Sequence, residues 1–95
     1  MSWSISRDGE VLLKSSGKTG VTGAMADGYR GQLMTTPAVR LSPVGPTIQM
    51  PPQNEVESFL VAFVYLRDSL DGAKLNYKAP AGVDKYLGPQ DGRVY

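Results

Sequence analysis

The side chains best suited to chemistry in this sequence are few and scattered. Ser16-Gly17-Lys18-Thr19 ends like a phosphate-binding loop of the pattern G-x-x-x-x-G-K-[ST]. In that pattern a lysine and backbone amides cradle phosphates, and a helix opening at the loop supplies the first amides. The earlier glycine would stand at position 12, where this chain has Leu12, and Gly20 and Gly23 follow where the helix should begin. The segment therefore reads as a polar loop leaving a hairpin. Lys18 and the surrounding glycines retain the capacity to form an anion-holding nest.

Arg67 is the second candidate. It falls on an apolar helical stripe, so a buried guanidinium there would have to meet a carboxylate, carbonyls or a ligand phosphate. The simpler expectation is that its stem covers Phe63 while its head reaches water or pairs with Asp71, four residues on. Asp68 and Asp71, with Asp84 and Asp91 farther along, are the only acidic set resembling a catalytic or metal group. A hard cation needs several converging oxygens, and no D-x-D-x-D-G loop supplies them. These carboxylates read as solvated, and no metal site is expected.

Tyr29, Tyr77, Tyr86 and Tyr95 sit in or beside Gly/Pro-rich segments, with Arg30, Lys78, Lys85 and Arg93 one or two residues away. Tyrosine and arginine are enriched at binding hot spots, and the same interleaving suits stacking on a nucleotide ring. Two sets of candidate residues follow. A ligand site would draw on Lys18, Arg67, Tyr29 and Arg30. A protein interface would draw on Trp3, Val61, Tyr65, Tyr77, Tyr86 and Tyr95.

The missing residue types narrow the chemistry further. The 95-residue chain has no cysteine and no histidine. Disulfides, thiolate nucleophiles, zinc fingers and haem attachment are excluded within it. So is the imidazole that serves most often as general base. The expectation is a chain that is not an enzyme and needs no cofactor, with a carboxylate- or lysine-based hydrolase as a distant third reading. Ten basic against nine acidic residues leave a net charge of +1. Residues 1–50 carry five basic and three acidic groups, residues 51–95 five and six. No run concentrates the basic face that nucleic-acid binders use, so no nucleic-acid partner is expected. The longest apolar run, Phe59 to Leu66, is eight residues, against roughly 20 for a membrane span. No signal peptide opens the sequence, and the expected location is the cytoplasm, or a host cytoplasm or virion if the protein is viral.

Those side chains must be positioned by few regular elements, because 11 glycines and 7 prolines break the chain often. Residues 2–14 carry the strongest signal. Asp8-Gly9 suits a two-residue type I′ turn, which sets Arg7 opposite Glu10, Ile5 opposite Leu12 and Trp3 opposite Lys14. Residues 15–31 hold five glycines and read as a loop with at most one helical turn near Ala24–Asp27. Residues 38–41 and 47–50 read as short strands around a turn with two prolines at 42–46, and Pro51-Pro52 as extended chain. Residues 54–71 read as the one central helix, capped by Asn54 with Glu57 three positions later and stopped at Asp71-Gly72. Val56, Phe59, Leu60, Phe63, Arg67 and Leu70 share one stripe, with Val61, Ala62 and Tyr65 behind. A fully buried strand over 59–66 is the rival reading. Residues 73–78 read as a strand alternating Leu75 and Tyr77 against Lys74, Asn76 and Lys78. Residues 79–95 form an extended C-terminal segment with one helical turn near 83–87.

The sequence thus predicts a single α+β domain over 1–95: a small antiparallel sheet begun by the N-terminal hairpin, packed on one helix, with long loops. A chain this short buries only roughly 60–65% of its unfolded surface. The helix has apolar residues on both sides, which predicts surplus apolar surface and hence an interface. The expected function is non-catalytic binding to another protein, to a second copy of the chain, or both, with a small-ligand binder for a nucleotide or phosphorylated metabolite as the alternative. Cysteine-free, Gly/Pro-rich chains of this size are common among bacteriophage structural and host-modulating factors, a compositional analogy.

Overall fold

The computed structural model describes residues 3–17, 20–33, 38–40, 47–49, 52–71 and 74–83. Strands β1 (Ser4–Arg7) and β2 (Glu10–Ser15) form the expected hairpin. Asp8 and Gly9 take φ of 53° and 84°, as a type I′ turn requires, and Arg7 faces Glu10. Beyond that point the register departs from expectation. Ile5 faces Leu13, not Leu12, and Lys14 faces Ser4, not Trp3. A bulge leaves Leu12 as the extra residue of β2. Burial explains it: strict alternation would turn one of two successive leucines to solvent, whereas here Leu12 and Leu13 are both buried and Val11 is 40% exposed.

The bulge also organises the next segment. Ala24 N donates to Val11 O at 3.4 Å and Met25 N to Leu12 O at 3.0 Å, so chain 23–25 docks on the irregular stretch of β2. This approach requires Gly23, which has φ +128° and would place a Cβ 2.5 Å from the Leu12 carbonyl oxygen. Strand β3 (Val21–Thr22) pairs with β2 just before the docking point. Helix α1 (Ala26–Leu33) follows immediately after it.

Both elements correct the expected loop over 15–31. Two glycines lower the intrinsic helix preference of α1, but Ala26 and Tyr29 are buried in the core. Gly28 lets the Tyr65 hydroxyl come where a Cβ would stand, 2.5 Å away. Tertiary contact, not local propensity, holds this helix.

Strands β4 (Ala38–Arg40) and β5 (Thr47–Gln49) pair antiparallel, Val39 against Ile48. The expected turn at 42–46 lies outside the described residues. Helix α2 (Glu55–Ser69) begins as read from the sequence: Glu57 N donates to Asn54 Oδ1 at 2.9 Å, and Gln53 N donates to Glu57 Oε1 at 2.8 Å. Asp71, just past its end, takes φ 54°, and the strand alternative over 59–66 is overturned. Ser58 to Phe63 are buried without a break. Six successive residues span every face of a helix, so α2 is covered all round there, with β2 and β5 both against it.

Strand β6 (Asn76–Lys78) pairs antiparallel with β1, Ile5 facing Tyr77. The main sheet runs β3-β2-β1-β6, with β4-β5 as a separate ribbon. The architecture is α+β as expected, but with two helices, not one, among the described residues. Val83 is buried; the rest of the expected helical turn near 83–87 and the segment 84–95 lie outside the described residues.

Candidate functional site

One face of the main sheet packs on α2. Ile5, Leu13 and Val21 point into the core. Trp3 stands edge-on to Phe59 at 5.7 Å, and Phe59 stacks on Phe63 at 5.8 Å. Tyr77 closes this cluster at the sheet edge, 5.6 Å from Phe59 and 5.4 Å from Phe63, yet its residue is 39% exposed. Its ring is the visible end of an aromatic stack that runs into the core.

Alternation from Ile5 places the opposite face. Ser4 pairs with Lys14 and with Lys78, and Lys14 pairs with Thr22. A row Thr22-Lys14-Ser4-Lys78 therefore crosses the outer face, with a shorter row Val11-Ser6-Asn76 beside it. Lys14, Lys78, Thr22 and Asn76 are all exposed. Glu10 is the only acidic residue in the four strands, and it lies at the turn opposite Arg7.

The two ends of the sheet differ. At β3, Arg30 Nη1 donates to Val21 O at 2.8 Å, while Arg30 Nη2 is held by Asp27 Oδ1 at 2.6 Å. This guanidinium occupies an edge carbonyl that another strand would need. At β6, no described strand pairs with the outer edge, and Asn76, Tyr77 and Lys78 are all exposed.

The candidate ligand residues do not form one described site. Tyr29 is fully buried, edge-on to Tyr65 at 5.6 Å, and Arg30 is engaged with β3 and Asp27. Of the two expectations for Arg67, the pairing with Asp71 is replaced by one with Asp68 at 3.5 Å, and a third of the side chain is exposed. Lys18 lies outside the described residues. Of the candidate interface residues, Trp3 and Val61 are interior at 1% and 2% exposure. Tyr65 is half-buried, Tyr77 is at the surface, and Tyr86 and Tyr95 lie outside the described residues. The expected surplus of apolar surface reduces, among the described residues, to two large exposed side chains, Val11 and Tyr77. The sequence reading missed the basic outer face of the sheet, although the 2-residue spacing of Lys74, Asn76 and Lys78 already carried half of it.

Among the described residues no group of three or more Asp and Glu stands together as a metal would need. None of their helices is long and apolar enough to cross a membrane. The Tyr29 hydroxyl is buried without a hydrogen-bond partner, and burial raises its pKa well above the ordinary 10.0. The unfolded phenol ionises from about pH 10, whereas the folded one stays neutral. Its contribution to stability is therefore complete below about pH 10 and is lost as pH rises toward the folded value. Tyr29→Phe is expected to leave neutral-pH stability unchanged or raise it by about 1 kcal/mol, since an unpartnered hydroxyl is removed. It should also flatten the alkaline fall in Tm between pH 9 and 11, measured beside wild type. An unchanged alkaline slope would show that Tyr29 is not the group responsible.

Compared with known proteins, the chain matches no family model, no curated sequence and no solved structure.

Proposed function

We propose that this chain is a non-catalytic protein-protein interaction module, acting as an assembly component, adaptor or inhibitor. Tyr77 supports the reading: a large aromatic packed firmly on Phe59 and Phe63 yet exposed on an edge strand. A ring already fixed by packing loses little freedom on meeting a partner, the property that makes tyrosine a good anchor. The absence of histidine and cysteine fits work by contact. Within this reading, the Gly/Pro-rich composition fits a bacteriophage structural or host-modulating factor.

The test is site-specific photo-crosslinking in the native cell. A photoreactive amino acid replaces Tyr77 in one variant and the exposed Asp68 in another. A discrete protein adduct from position 77 and none from position 68 is the expected result. No adduct from position 77 would overturn the assignment. A Tm rise with one class of nucleotide, lost in Arg67→Ala, would move it to a small-ligand binder.

A further inference from the structure

The partner's chemistry follows from how the sheet ends, on the premise that the chain is an interaction module. We infer that the outer edge of β6 receives an extended segment of another protein in which acidic and apolar side chains alternate.

Three observations converge on this edge. Its residues Asn76, Tyr77 and Lys78 are all exposed, and no described strand pairs outside them. The far edge of the main sheet is occupied by Arg30 on Val21 O, which leaves β6 as the edge of this sheet open to strand addition. The two faces beside β6 also differ in kind. On the core side Tyr77 presents its ring over Phe59 and Phe63. On the outer side Lys78 stands in a row with Ser4 and Lys14, exposed Lys74 precedes the strand by two residues, and the only acidic residue within the four strands, Glu10, lies away at the hairpin turn.

An added strand would lie about 4.8 Å from β6, with successive side chains on opposite faces. Its core-side residues would meet Tyr77, which favours apolar groups. Its outer residues would meet Lys78 and Lys74, which favours carboxylates. Backbone hydrogen bonds supply affinity in this mode, and alternate side chains supply selectivity.

A second copy of β6 is the disfavoured occupant. Antiparallel pairing about Tyr77 would set Lys78 diagonal to Lys74 of the other copy, and lysines on an edge oppose self-pairing. Single-stranded nucleic acid is disfavoured too, because the outer faces of the four strands carry no aromatic residue on which bases could stack.

The experiment uses the full chain and fluorescein-labelled peptides, one alternating glutamate with valine, one lysine with valine, and an oligothymidylate of similar length. Anisotropy gives affinity, and amide chemical shifts give the site. The glutamate–valine peptide is expected to bind, to shift the amides of residues 75–79, and to lose about tenfold or more in affinity against Lys74→Glu/Lys78→Glu. Arg67→Gln, which removes a cation from α2, should change nothing. Amide shift dispersion checks that each variant folds.

The inference is overturned if that peptide fails to bind, if it shifts amides away from β6, or if the lysine–valine peptide binds equally well. Tighter binding of the oligothymidylate, or sedimentation as a dimer that Lys78→Glu strengthens, would overturn it in favour of those occupants. If position 77 crosslinks to a protein while the peptide fails, the interaction module stands and only this partner chemistry falls.

Discussion

Replacing Phe59 by alanine is expected to lower stability by about 3–5 kcal/mol, among the larger losses available from a core side chain. Phe59 is fully buried and meets Trp3 just before β1, Phe63 from its own helix and Tyr77 from β6. Its removal opens a cavity where the sheet and α2 join. Relaxation there is restricted on one side, because three of its neighbours, Trp3, Phe63 and Tyr77, are rings in contact with it. Domains of this size are typically stable by only about 5–10 kcal/mol, so the variant should lose a large share of its stability. Urea denaturation provides the measurement, with the m-value held constant as evidence of unchanged two-state unfolding. Phe59→Leu should lose clearly less, since most of the volume remains. A loss under about 1 kcal/mol for Phe59→Ala would mean that the aromatic stack is not the joint between sheet and helix.

The second large effect concerns backbone. Gly23→Ala is expected to cost roughly 2–4 kcal/mol, combining strain at a positive φ with loosened hydrogen bonds. The new Cβ would meet main-chain atoms, Leu12 O at 2.5 Å, Leu12 C at 2.8 Å and Leu13 Cα at 3.0 Å, none of which can swing aside as a side chain would. The segment must lift off the bulge, which weakens Met25 N to Leu12 O and disturbs the nearby Arg30 contact on β3. Gly31→Ala is the matched control of opposite sign. It lies within α1 with nothing within 4 Å of an added Cβ, so it should gain about 0.5–1 kcal/mol from helix preference alone. Thermal denaturation of the pair decides the matter: equal effects would show that 23–25 does not dock on β2.

These two positions also mark where sequence reasoning succeeded and where it stopped. The turn at Asp8-Gly9, the cap at Asn54 with Glu57, and the stop at Asp71 were legible because each depends on a few adjacent residues. The bulge was not, because the two-residue turn fixes the register only near the turn and strict alternation does not hold through Val11-Leu12-Leu13. Three apolar residues in succession on a half-buried strand are themselves the signal that alternation must break. Helix α1 was hidden by its glycines, since what stabilises it is Tyr29 in a core assembled from distant segments. For the candidate site, the strand expected over 73–78 forms only at 76–78, and there alternation separates Tyr77 from Asn76 and Lys78. Trp3 and Val61 could not be told from interface residues, because a buried aromatic or aliphatic group has the same letter wherever it is covered. The pairing of Ser4 with both Lys14 and Lys78, which makes the outer face basic, depends on β6 lying beside β1, a long-range fact that no local pattern carries.

That neighbourhood has a consequence for how the molecule forms during synthesis. Ile5 leaves the ribosome well before its partner Tyr77, which lies 72 positions later in the sequence. Through that interval the nascent hairpin lacks the strand that flanks β1, and contacts between positions so far apart in sequence are slow to form. The stage most vulnerable to aggregation or to chaperone capture is therefore set by the arrival of residues 76–78, and translation pauses upstream of them would lengthen it.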